Sequence, residues 1–226
     1  FCVMETSFTE ENYIKAIFKL EELTREAVST NEIASRLLMQ PATVTDMIKR
    51  LSDKKIVTYK KYYGVQLTAK GKKIALDIIR KHRLWEVFLV KKLNFKWDQV
   101  HEIAEQLEHI NSPELIEKLD DFLGNPKFDP HGDAIPDKEG KMRQVNSFPL
   151  STITKKKSYV FCGVTNHETK FLQYLTTLNL SLGNIIEVEA INEYDSSLKI
   201  KINKKRHEFL SEQVASSILV YSVNDK

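Results

Sequence analysis

His82 and Glu86 stand four residues apart, and Glu105, Glu108 and His109 follow His101 by four, seven and eight residues. At 3.6 residues per turn, such spacings place side chains on one helical face. Imidazoles and carboxylates on one stripe, facing a second helix with its own His-Glu pair, are the donor set of a divalent-metal site in a helix-bundle core. These donors suit manganese, iron(II), cobalt, nickel and zinc, and the absence of thiolate removes any preference for a soft ion. Each pair alone is ordinary, since His-x3-Glu is more often a solvated helix face than a ligand set. The joint pattern is stronger, because Glu105 and Glu108 repel one another unless a cation lies between them. Asp129, His131 and Asp133 form a further group, but no helix or strand fixes their Pro/Gly-rich segment, so it reads as a surface turn. Trp85 and Trp97 read as core or interface residues.

The elements that must position these groups are mostly helices. Apolar periodicity predicts helices over Thr9–Leu23, with Thr9 and two glutamates at its start, over Ser29–Leu38 and over Ala42–Lys54. Pro41 suits the start of the third, where its missing N–H would be unpaired anyway. Ile56–Tyr59 and Val65–Leu67 then form a hairpin across a Lys-Lys-Tyr-Tyr-Gly bend. Helix, helix, turn, helix and basic wing is the layout of a winged helix-turn-helix, whose third helix enters the major groove of DNA. The residues expected to face DNA are Gln40, Ala42, Thr43, Thr45, Asp46, Lys49 and Arg50 on that helix, with Lys60 and Lys61 at the wing tip. Short hydroxyls suit phosphate oxygens or a thymine methyl, and the basic groups neutralise phosphates. A long helix then runs to about Leu93, followed by helices over Asp98–Ile110 and Pro113–Leu123. Residues 129–157 read as loop. Strands at 159–164, 185–190, 198–202 and 218–223, with one amphipathic segment at 168–178, predict a small β-barrel.

Charge follows the same division. Between Val28 and Lys73 there are ten Lys/Arg against three acidic residues, whereas Asp98–Gly140 carries twelve acidic residues against three lysines. A basic module suits a polyanion and an acidic one a cation. A length of 226 residues predicts two or three modules. Only Cys2 and Cys162 are present, too few for a zinc cluster or a disulfide framework. There is no apolar run of membrane-spanning length and no signal segment, so the expectation is a cytoplasmic protein without membrane contact. Phe1–Val3, ahead of Met4, are set aside.

With these motifs in hand, the sequence resembles the diphtheria toxin repressor family of iron- and manganese-dependent regulators. The resemblance rests on the winged helix, the Lys81-His82-Arg83-Leu84 and Val100–His109 stretches, the Asp133-Ala134-Ile135-Pro136 loop and the C-terminal module. It implies a mainly α fold with a small β domain: a winged-helix domain at 4–73, a helical metal-binding and dimerisation domain at 74–140, a linker at 141–157 and an SH3-like domain at 158–226. It also implies a homodimer that binds double-stranded operator DNA when loaded with Mn2+ or Fe2+. Residue by residue, Asn12, Glu105, Glu108 and His109 match the family's primary metal site. His82, Glu86 and His101 match its ancillary site, which His167 or Glu168 of the SH3-like domain would complete. Iron-responsive members carry Cys at the position of Glu105, so the oxygen-rich set leans towards manganese. Lys15 stands where some manganese members carry a glutamate ligand. Two other readings are a winged-helix regulator whose His/Glu stripe senses zinc or is only structural, and a metalloenzyme. The latter lacks a nucleophile motif or phosphate loop.

Overall fold

Ser7 rather than Thr9 caps α1 (Phe8–Thr24): its hydroxyl accepts the Glu10 N–H at 3.3 Å, and the Glu10 carboxylate accepts the Ser7 N–H at 2.9 Å. Ser29 and Glu32 repeat this reciprocal cap on α2 (Thr30–Leu37), at 3.1 and 2.7 Å. Such caps are worth about 1 kcal/mol each. The structure is a computed structural model that describes residues 6–154 and 157–223. Cys2, the segment before Met4, Lys155 and Lys156 of the expected linker, and the last three residues of the expected C-terminal domain lie outside the described residues.

The chain divides into two units, each with its own core. The first holds the chain up to His82 together with Glu105–Pro113 and Pro136–Lys141. Here Leu38, in the left-handed conformation, ends α2, and Pro41 opens α3 (Pro41–Asp53). α1, α2 and α3 bury Ile14, Ile17, Ile33, Val44, Ile48 and Leu51 in one cluster. β1 (Val57–Lys60) pairs antiparallel with β2 (Gly64–Leu67), and Val28 bridges to Val65. Gly64, at φ 102°, lets the tight wing turn close. α4 (Ala69–Leu93) follows. These elements give the expected winged helix.

The second unit holds Arg83–Ala104, Glu114–Ile135 and the chain from Met142. Leu84, Val87, Ile116, Leu119 and Ile135 form a small core around α6 (Pro113–Phe122), with Trp85 packed against it as expected. α5 is shorter than its sequence pattern: it spans His101–Leu107, so Glu108 and His109 lie in the turn beyond its end. A six-stranded antiparallel sheet follows, comprising β3 (Phe148–Pro149), β4 (Ser158–Val164), β5 (Ile185–Ile191), β6 (Leu198–Ile202), β7 (Arg206–Leu210) and β8 (Ile218–Ser222) in the order β3-β8-β4-β5-β6-β7. α7 (Thr169–Thr177) lies between β4 and β5, and α8 (Glu212–Ser216) between β7 and β8.

The expected linker at 141–157 needs correction, because β3 pairs with β8 and the next residues, Leu150 and Ile153, enter the sheet's core. β7 and α8 were not foreseen. β7 is an edge strand with charged Arg206 and Glu208, so it lacks the apolar alternation that marks a half-buried strand. Among the described residues, no helix is long and apolar enough to cross a membrane.

The segment Asp129–Ile135, expected as a surface turn, is instead fixed inside the second unit. Asp129 Oδ1 accepts the N–H groups of His131 at 2.8 Å and Asp133 at 3.0 Å, and the His131 carbonyl accepts the Val164 N–H at 3.0 Å. Gly132 has φ 92°, and a Cβ there would fall 2.1 Å from the Cys162 carbonyl oxygen. Gly132→Ala should therefore destabilise the protein by about 2 kcal/mol or more, read as a lowered thermal-denaturation midpoint.

Candidate functional site

The expected His/Glu stripe divides between the two units. In the first, Glu108 is fully buried, its Oε2 lies 2.6 Å from His82 Nδ1, and its Oε1 lies 2.5 Å from the Lys15 ammonium. Lys15, itself 8% exposed, also reaches Glu105 Oε1 at 3.4 Å. A cation does lie between the two glutamates, and it belongs to the chain. Burial would raise the Glu108 pKa, but the His82 hydrogen bond and the Lys15 charge outweigh it and hold the carboxyl below its ordinary value. His109 Nδ1 lies 2.6 Å from Glu11 Oε2, and Phe8 packs over the imidazole. Asn12, the expected fourth ligand, is exposed on α1 beside the buried Glu11. The groups that join α1 to this turn are thus Glu11 and Lys15, neither of them foreseen as a site residue.

In the second unit Glu86 is 1% exposed and faces imidazoles on two sides: His101 Nδ1 at 3.4 Å and His131 Nδ1 at 3.5 Å. Glu86, Asp129 and His131 each bring a ligand atom within 4.8 Å of the others, and all three are buried. His131 Nε2 donates to the Trp97 carbonyl at 2.8 Å, which leaves Nδ1 turned towards Glu86, and the Trp97 ring stacks on the imidazole. This is the outer hydrogen bond that sets the tautomer of a metal-binding histidine. Arg83 clamps the loop from outside, its guanidinium 3.6 Å from Asp129 Oδ2, 3.2 Å from Asp133 Oδ2 and 2.5 Å from the Ala134 carbonyl.

Burial, with Asp133 and Glu86 adding to it, raises the Asp129 pKa to about 7. His131 is raised to about 9, because the hydrogen bond and charge of Glu86 overcome the lowering effect of burial. Two carboxylates and an imidazole without a thiolate fit a hard or borderline divalent cation. His167 stands edge-on to His131 at 5.1 Å, with Nε2 3.5 Å from Asp133. Glu168 is the exposed N-cap of α7. Sequence reasoning set Asp129 and His131 aside because their burial comes from packing against β4. The sign present in the sequence was an Asp-x-His-Gly-Asp run of potential ligands within a loop.

On the winged helix, Gln40, Ala42, Thr43, Asp46, Lys49 and Arg50 are exposed, and Lys60 and Lys61 project from the wing. Asp46 pairs with Lys49 at 3.2 Å, which tempers its repulsion of a phosphate backbone. Thr45 is half-buried, and its hydroxyl donates to the Pro41 carbonyl at 2.9 Å. At the wing tip the Lys60 ammonium lies 4.0 Å from the Tyr63 ring centre and that of Lys61 5.1 Å from Tyr62, with both tyrosines exposed. Sequence reasoning did not include these two tyrosines, whose exposed rings lie beside the wing-tip ammoniums.

Three family models match successive parts of the chain. Residues 5–65 match the family model for the iron-dependent repressor N-terminal DNA-binding domain, residues 68–137 that for the iron-dependent repressor metal-binding and dimerisation domain, and residues 148–222 the FeoA domain. The iron-dependent repressor IdeR of Mycobacterium leprae is 34% identical over 130 residues, 57% of this chain and 55% of that protein. The chain thus spans about half the length of the mycobacterial relatives it matches. The HTH-type transcriptional regulator MntR of Bacillus velezensis is 31% identical over 118 residues, 52% of this chain and 82% of that protein. Among solved structures, a manganese-dependent transcriptional repressor in complex with manganese is similar at a TM-score of 0.84 and 30% identity, covering 95% of this chain and 100% of that one. The chain belongs to the iron-dependent repressor family of transcriptional regulators, the diphtheria toxin repressor family that its sequence resembles.

Proposed function

We propose that this protein is a metal-responsive transcriptional repressor that binds operator DNA as a homodimer, with a divalent cation held by Glu86, Asp129 and His131. The observation that carries this reading is the convergence of those three buried groups in a chain that also presents a winged helix. His101 faces the same glutamate and is the natural additional ligand, with His167 beside His131. Manganese is the preferred ion and iron(II) the alternative, because carboxylate oxygens outnumber nitrogens in the core set and no sulfur is present. The cation would supply positive charge to two carboxylates that burial otherwise disfavours in ionised form. Arg83, the Trp97 carbonyl and the Asp129 turn hold the donors in place. Because operator and cation act on one equilibrium, each tightens the other by the same factor. The primary set Asn12, Glu105, Glu108 and His109 fits a cation less well, since Lys15 and His82 already engage both oxygens of Glu108. This favours the alternative in which that part of the stripe is structural.

Duplexes selected from a random pool by the Mn2+-loaded protein should bind at least about tenfold more weakly when chelator is added, on the scale of typical allosteric coupling. Glu86→Gln and His131→Ala should abolish the difference, as measured by fluorescence anisotropy alongside metal content. Binding that ignores both chelator and substitutions would refute the reading.

Metal affinity should depend on pH in a defined direction. Below about 9 His131 carries a proton, and below about 7 Asp129 does so as well, so a cation must displace them. Mn2+ affinity should rise by about tenfold per pH unit for each proton displaced as pH increases from 6 to 8, and the slope should flatten in His131→Ala. Calorimetric titration in two buffers measures it.

On the DNA side, Arg50→Ala and Lys61→Ala should weaken binding to all sequences alike and each reduce the salt-dependence slope by about 1. A titration series from 50 to 200 mM salt reads this out.

A further inference from the structure

The first unit contains a group of ionisable side chains in which Lys15 is the odd member. It lies on the apolar face of α1 between Ile14 and Ala16, both buried, and it is buried with them. A lysine is rarely placed there without a partner, because removing an ammonium from water is costly. Its partners are the two carboxylates that sequence reading assigned to a metal: Glu108 at 2.5 Å and Glu105 at 3.4 Å.

The rest of the group leaves little for an ion to bind. Glu108 spends Oε1 on Lys15 and Oε2 on His82. His109 turns Nδ1 to Glu11, and its Nε2 stands 3.9 Å from Glu108 Oε1. Asn12 is on the exposed side of the helix. A divalent ion placed between Glu105 and Glu108 would lie against an ammonium that is already there, and repulsion between like charges is strong where water is scarce. The side chains present therefore do not fit a resident metal at this position.

We propose that Lys15 is a built-in counter-cation that takes the place of a divalent ion between Glu105 and Glu108, so that α1 is tied to the turn after α5 without metal. Resting on the function proposed above, this leaves the Glu86–Asp129–His131 cluster as the seat of metal dependence. The ammonium is covalently attached, so the link it makes persists under chelation. The same residue predicts a latent site: with the charge at position 15 removed, the carboxylates of Glu105 and Glu108 lose the ammonium between them and, with His109, take a cation in its place.

The test is the number of Mn2+ ions bound per chain, measured by equilibrium dialysis and elemental analysis on the full chain. Wild type, Lys15→Arg and Glu105→Gln should bind the same number, while Lys15→Met, neutral and of similar length, should bind one more. In chelator, Lys15→Met should melt at a lower temperature than wild type and recover when Mn2+ is added. Lys15→Arg should show no such dependence, which separates charge replacement from a packing role. A drop in stoichiometry on Glu105→Gln overturns the proposal, as does a Lys15→Met protein that binds no extra ion. If Lys15→Met does not fold, Glu105→Gln in the wild-type background decides alone. Failure of the proposed function looks different: wild-type protein would then bind no Mn2+, or bind DNA alike with and without it, while the comparison between Lys15→Met and wild type would still report on Lys15.

Discussion

A carboxylate removed from water needs a counter-charge beside it, and both units of this protein are arranged around that need. Among the described residues, Glu108 and Glu86 are the two glutamates buried essentially completely, at 0% and 1% exposure. Ion pairs of this kind contribute little net stability compared with an apolar core, but losing one partner is severe, because it leaves a bare charge inside. Each glutamate therefore dictates its surroundings. Around Glu108 the chain brings a lysine from α1 and a histidine from α4. Around Glu86 it brings imidazoles from α5 and from the Asp129–Ile135 loop, and a second carboxylate, Asp129, whose ionisation burial opposes. In the first arrangement fixed groups of the chain engage both oxygens of Glu108. The second gathers two carboxylates and an imidazole, a donor set that suits a divalent cation.

The sequence made the helical part of this scheme visible and concealed the loop part. His82, Glu86, His101, Glu105, Glu108 and His109 stood out because helical periodicity is a local property, readable from spacing alone. What spacing could not show is that α5 stops at Leu107 and that His101 and Glu108 turn to different glutamate-centred groups. Asp129 and His131 were misread for the opposite reason. Their segment has no periodicity, and its order comes from Gly132 lying against the Cys162 backbone and from the Arg83 clamp, contacts between residues remote in sequence. Lys15 stood out only as a departure from the family, at a place where some manganese members carry a glutamate ligand. Its meaning appeared only with the position of its ammonium.

The same distinction between local and remote information runs through the fold. Capping boxes at Ser7 and Ser29, Pro41 at the head of α3 and the wing hairpin are short-range devices, and the winged helix was legible from them. The C-terminal sheet was legible where its strands alternate, as in β6 with Leu198, Ile200 and Ile202 inward. It was not legible at β7, whose charged residues suit an unpaired edge, nor at Phe148–Ile153, where a two-residue strand and a single turn join the core across some seventy residues of chain.

Thr45 carries a consequence for how α3 can read bases. A threonine hydroxyl has one proton, and here it is committed to the Pro41 carbonyl one turn back. What remains to face outward is a lone pair and a methyl group. Placed in a major groove, such groups would suit an exocyclic amine on adenine or cytosine, or the methyl of thymine, whereas a phosphate oxygen or the acceptor edge of guanine would meet no donor from this hydroxyl. The hydrogen bond that steadies the first turn of α3 thus also makes the Thr45 hydroxyl an acceptor, and no longer a donor, towards anything that approaches it.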